Sequence, residues 1–190
     1  MKPRDPQKID RIHQATLALV SEIGLAALTM SKIGNAAKVG MGTIYTYFES
    51  KEEIINSLYQ SLKRKHAGEI YVNFDENQSF LANFRAIFDI FFQNCYHQET
   101  EYFFLEQCRA SPFLSLDSIV LEEAAFAKMN ALLDEGKAEK VLKNIDNALL
   151  IGYLMGGVQG FLTQLRRTDA ELTQAHIDAA LALCLDAIKI

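Results

Sequence analysis

Cysteine and proline are both scarce in this chain of 190 residues, at three each, and each scarcity excludes something. Cys95, Cys108 and Cys184 are scattered, with neither a CxxC pair nor the spacing of a zinc site, so reduced, buried thiols are expected. So few prolines, with no low-complexity stretch, argue against a long disordered linker. The richest apolar run, 148–158, falls short of the roughly 20 residues that span a membrane. No apolar segment follows the charged residues Lys2, Arg4 and Asp5, so no signal peptide is expected and the protein is expected in the cytoplasm, off the membrane. Asn-Gly and Asp-Gly pairs and alternating β-branched runs are absent too, which leaves an all-α fold.

Signatures of catalysis are equally sparse. His13, His66, His97 and His176 lie far apart, and no helix carries a His-Glu-x-x-His or paired-carboxylate arrangement. Cys95, His97, Glu101 and Cys108 have no spacing typical of a metal site. No catalytic residue, metal or cofactor is therefore expected, and the chain is not read as an enzyme.

What is present is helical periodicity and a divided charge. The net charge is −5, yet residues 1–65 hold ten Lys or Arg against six Asp or Glu, so the cations are concentrated where a polyanion would be met. A first helix is expected at about 8–23, with Ile9, Ile12, Thr16, Leu19, Val20 and Ile23 on one face and Gly24 as its stop. Thr29 is placed to cap a second, short helix with Ile33 and Ala37 inward. After a break at 38–40, a third short helix runs from Met41 to about Phe48. Ser50 and Glu53 form a capping box for a fourth, which is expected to end in the solvated cluster Lys63-Arg64-Lys65. Further helices are expected at about 77–97, 99–110, 117–136, 144–167 and 171–188.

Two short helices joined by a tight turn, the second slim and polar outside, are the pattern of a helix-turn-helix. Its second helix must enter a major groove about 12 Å wide, so its outer side has to be small and able to hydrogen-bond. Met41, Gly42, Thr43, Tyr45, Thr46 and Tyr47 form that side, while Tyr45 suits a core position equally well. Thr29, Thr43, Tyr47 and Lys51 are the expected phosphate anchors, and Lys2, Arg4 and Lys8 form a basic arm.

The stretch 29–51 resembles the DNA-binding signature of TetR-type regulators. Ile33, Ala37, Val39, the Gly42-Thr43 pair, Tyr45-x-Tyr47-Phe48 and Ser50-Lys51 carry the resemblance, which is specific over about residues 8–60 and only architectural beyond. Three positions depart from the pattern. Lys38, itself a candidate DNA contact, stands where the family usually has a turn glycine; Gly40 replaces a capping serine; Gly34 replaces an alanine. The resemblance implies a DNA-binding head at 1–50 and a larger helical effector-binding and dimerisation domain at 51–190. It further implies a homodimeric repressor on a palindromic operator, released by a small, largely apolar molecule. A helical ligand- or partner-binding module without specific DNA binding is the alternative.

Aromatic residues concentrate in the middle of the chain, where most must be core. For the inducer cavity that the resemblance implies, the candidate lining is Phe88, Phe92, Tyr96, Phe104, Cys108, Phe126, Met129 and Tyr153, with Gln107 and Gln159 as polar contacts. Gly152, Gly156 and Gly160 recur every four residues, and the last helix carries Ile177, Leu181 and Leu185. These six suit either an internal helix pair or a four-helix dimer interface, and the family architecture points to the dimer.

Overall fold

A computed structural model describes residues 5–190, and every described element of regular structure is an α-helix. The helices are α1 (Pro6–Ile23), α2 (Met30–Ala37), α3 (Met41–Tyr47), α4 (Lys51–Ile70), α5 (Phe80–His97), α6 (Glu99–Arg109), α7 (Leu116–Ala138), α8 (Asn147–Arg167) and α9 (Gln174–Ile188). The described chain forms two compact units: one from residues 5–66 and Glu99–Ala124, the other from Ala67–Gln98 and Ala125–Ile190. The boundary expected at residue 50 thus falls inside the first unit. Lys2 and Arg4 of the expected arm lie outside the described residues.

In the first unit, local chemistry sets each helix end. The Asp5 carboxylate accepts the Gln7 amide at 3.0 Å, and Pro6 opens α1 where no amide is needed. Gly24, at φ 74°, closes it. Thr29 accepts the Lys32 amide at 3.2 Å to start α2. Ser50 accepts the Glu53 amide, while the Glu53 carboxylate reaches back to the amide of Glu49. These helices bury a common core that includes Ile12, Val20, Ile33, Ile44, Phe48, Ile54 and Leu58, and α6 adds Phe104, Leu105 and Cys108 to it. Ile23 is left exposed.

One expectation fails here. Lys63-Arg64-Lys65 is not a solvated helix end, because α4 continues through Gly68 to Ile70. Lys63 is buried against Glu122 at 3.2 Å, and Lys65 pairs with Glu101 at 2.8 Å.

His13 sits inside the first unit, with Nε2 3.1 Å from the Ser57 hydroxyl. Burial holds its imidazole below the ordinary 6.5, and Asp10 offsets this only partly. The folded protein therefore resists a proton that the unfolded chain accepts. Stability should be complete above pH 6.5 and fall as the pH drops through the lower native value. Thermal melts from pH 8 to pH 5 are expected to show a shallower decline in His13→Gln than in the parent; identical profiles would refute the assignment.

In the second unit, Phe80, Phe84, Phe88 and Phe92 form a ladder along α5, with centroids 5.5 to 6.3 Å apart, and Phe161 meets Phe92 edge-on at 5.6 Å. Gly136 lets α7 approach this ladder: a Cβ there would stand 2.8 Å from the Phe80 ring. Leu150, Leu154, Val158 and Leu162 of α8 and Ile177, Ala180, Leu181 and Cys184 of α9 point inward. By length and composition alone α8 could cross a membrane, being longer than its richest apolar run, and 28% of its apolar window is buried within the chain.

Candidate nucleic-acid interface

The turn between α2 and α3 is made by a residue unsuited to it. Lys38 adopts the left-handed conformation, φ 54° and ψ 43°, that a glycine would take with little strain. The Val39 amide donates to the Gly34 carbonyl at 2.9 Å and closes the turn. A side chain on Gly34 would meet the Val39 carbonyl at 3.1 Å and the Met41 sulfur at 3.2 Å, which accounts for glycine in place of alanine there. Gly40 precedes α3 without a side-chain cap, in open space.

Seven residues make up α3, and their spacing divides them cleanly. Ile44, Tyr47 and Phe48 lie three and four apart and face the core. Met41, Gly42, Tyr45 and Thr46 face outward, with Thr43 half-buried beside them. Tyr45, which suited either location, is 54% exposed. Tyr47 is not on the outer side as expected: it is 8% exposed, because it shares the inward face with Ile44. Its hydroxyl accepts the Asp5 amide at 3.1 Å, tying the start of α1 to α3 while its own proton stays available to donate. Nothing in the sequence signals this pairing across 42 positions.

Beside α3 lies an open cleft of about 530 Å³. Thr29, Met30 and Ser31 at the start of α2, Met41 and Tyr45 on α3, and Ser50, Lys51 and Glu52 at the start of α4 line it, with Leu28 and Glu49. Two helix N-termini thus open on one hollow, a disposition that favours an anion. The Lys51 ammonium donates to the Leu28 carbonyl at 3.2 Å and stands 5.1 Å from the centre of the Phe113 ring. It has donors to spare for a phosphate. Ser31 and Glu52 were not expected here; they enter only because α2 and α4 converge. Thr29, Met41, Tyr45 and Lys51 share this cleft, while Gly42, Thr43, Thr46 and Lys38 are not part of its lining.

The residues expected around an effector are divided between the units. Phe88 and Phe92 are buried on α5, Tyr96 is half-buried, and Phe126, Met129 and Gln159 are half-buried in the same unit. Gln159 Nε2 lies 4.0 Å from the Cys95 sulfur. Phe104, Gln107 and Cys108 belong to the first unit. There Phe104 and Cys108 serve the core of the head, and burial pushes the Cys108 thiol up to about 12. Tyr153 is exposed on α8. Of the residues expected at a dimer interface, Gly152, Gly156 and Gly160 are exposed, and a Cβ on any of them would meet open space. Ile177 and Leu181 are instead buried in their own chain, where they cannot touch another, and Leu185 is half-buried. The large outward apolar residue of α9 is Leu183, at 66% exposure; on α8, Leu149 and Tyr153 are exposed as well.

Residues 12–58 match the model for bacterial regulatory proteins of the tetR family, and residues 52–190 match a tetracyclin repressor-like C-terminal domain. The chain is 28% identical over 151 residues to the uncharacterized HTH-type transcriptional regulator YhgD of Bacillus subtilis, covering 74% of this chain and 76% of that protein. It is 31% identical over 78 residues to an uncharacterized HTH-type transcriptional regulator of Haemophilus influenzae, spanning 41% of this chain and 42% of the relative. The crystal structure of a TetR family regulator from Marinobacter aquaeolei VT8 shares the fold with a TM-score of 0.88 at 21% identity, over 100% of this chain and 99% of that one. The chain belongs to the TetR family of bacterial regulatory proteins, whose members are DNA-binding transcriptional regulators and not enzymes.

Proposed function

We propose that the protein is a cytoplasmic repressor that binds a palindromic operator as a homodimer and leaves it when a small, largely apolar ligand binds. The observation that carries this reading is the exposed outer side of α3 beside the cleft where α2 and α4 begin. Phosphates fall to Thr29, Thr43 and Lys51, and Tyr47 has one hydroxyl proton to add. The unpartnered side of α8, with Leu149, Gly152, Tyr153, Gly156 and Gly160, meets its copy, and Leu183 of α9 extends the contact. Dimeric helix-turn-helix proteins hold their recognition helices about 34–36 Å apart, one turn of DNA, and the operator reading requires the same of two α3 helices. The ligand lies in the second unit among Phe88, Phe92, Phe126 and Met129, with Gln159 as a polar contact.

Selection of bound fragments from a random duplex pool, followed by anisotropy titration at several salt concentrations, tests the reading. A palindrome should emerge, with affinity falling steeply as salt rises. Lys51→Ala should weaken binding to all sequences alike and reduce the salt slope by about one. An unenriched pool with salt-insensitive binding would favour a helical partner-binding module instead.

A further inference from the structure

The outer side of α3 is unusual in what it lacks. None of the seven residues Met41–Tyr47 is Arg, Lys, Asn, Gln, Asp or Glu. Those side chains make the strong readings of base edges, as bidentate pairs of Arg with guanine or Asn and Gln with adenine, or as an acceptor from cytosine. The hydroxyls are partly committed as well. Thr46 Oγ1 donates to the Gly42 carbonyl at 2.9 Å, and Tyr47 is buried with its oxygen on the Asp5 amide. What remains outward carries no charged or amide group: Met41 at 37% exposure, Tyr45 at 54%, exposed Thr46 and half-buried Thr43, whose side chains each carry a methyl, with Gly42 bare between them.

In the major groove only thymine carries a methyl group, at C5, and apolar side chains recognise it by contact. We infer that α3 reads its half-site through thymine methyl groups. It selects T·A pairs opposite Met41, Thr43, Tyr45 and Thr46 and carries no arginine or lysine there to fork onto guanine. The inference rests on the operator-binding reading and specifies the DNA that the site takes. Because van der Waals contact is less directional than a hydrogen-bonded fork, the selected consensus should be A·T-rich and soft at these positions.

The test replaces each thymine of the selected operator in turn by deoxyuridine, which keeps the base pair and removes only the methyl. At two or more positions per half-site, affinity should drop about threefold to fivefold, the fold-change for one buried methyl group. Thr43→Ser and Thr46→Ser keep their hydroxyls and lose their methyls. Each should weaken binding to the thymine operator and abolish the uracil penalty at one position, leaving the others intact. Circular dichroism of these surface variants should match the parent. If uracil throughout both half-sites leaves affinity unchanged, or the consensus is invariant G·C across the bases that α3 covers, the inference is overturned while operator binding stands. If no fragment is enriched at all, the operator reading fails, and the inference with it.

Discussion

Replacing Glu122 by alanine is expected to cost about 3–5 kcal/mol of stability, the loss typical of breaking a buried ion pair from one side. Its Oε1 receives the Lys63 ammonium at 3.2 Å and the Arg109 guanidinium at 2.8 and 2.9 Å. The Lys63 and Glu122 side chains are only 9% and 16% exposed. Burial holds the Lys63 ammonium below its ordinary range, and Glu122 offsets this only in part. Burial also pushes Glu122 upward, but Lys63 and Arg109 outweigh it and hold the carboxyl below 4.5. Glu122 therefore stabilises the fold above that pH, and its contribution is lost as the pH falls through the lower native value. Removing the carboxylate takes a counter-charge from the buried Lys63 side chain, 9% exposed, with the Arg109 cation nearby at 36% exposure. The double variant Lys63→Met with Glu122→Leu should recover most of the loss, because the attraction barely repays the desolvation of both charges. Urea unfolding of the two proteins separates the cases. A single variant as stable as the parent would mean that this cluster is solvated in solution.

If the protein is the proposed homodimer, Gly156→Glu is expected to split it and lower operator affinity by about 10²-fold or more, the factor that linked binding of two half-sites supplies. The protomer should survive the change. A Cβ at Gly156 meets nothing within 4 Å, whereas one at Gly157 comes within 3.5 Å of the Cys184 sulfur. Glutamate is also a better helix former than glycine. A carboxylate on each of two closely approaching helices would be desolvated against its like. Sedimentation should then show a monomer with unchanged helical content. A variant that remains dimeric with full operator affinity would place the interface elsewhere.

Much of the molecule was legible because its signals are short-ranged. Gly24 ends α1, Thr29 begins α2, and Ser50 with Glu53 opens α4, each through contacts within about four residues. The head motif was readable for the same reason: Ile33, Ala37, Ile44 and Phe48 declare an inward face by spacing alone. The side chains that were misplaced share a different property. Lys63 looked solvated because its neighbours in sequence are cations, while its partner Glu122 is 59 positions away. Tyr47 looked outward until the start of α1, 42 positions earlier, supplied an amide for its hydroxyl. Phe104 and Cys108 looked like part of an effector cavity, yet α6 packs them into the head.

The last two helices mark the limit most clearly. Both α8 and α9 carry small and apolar residues on more than one side, so periodicity does not choose which side turns inward. Packing chose: Ile177 and Leu181 went into their own chain, and Leu149, the α8 glycines and Leu183 were left outside. Near neighbours in the chain set where most helices start and stop and which residue types line α3. Which cations are neutralised, which aromatics are core and which apolar surface remains for a partner were decided only when distant segments met. Burial and charge pairing are set by all the elements that converge on a side chain, and those lie tens of residues apart in the chain.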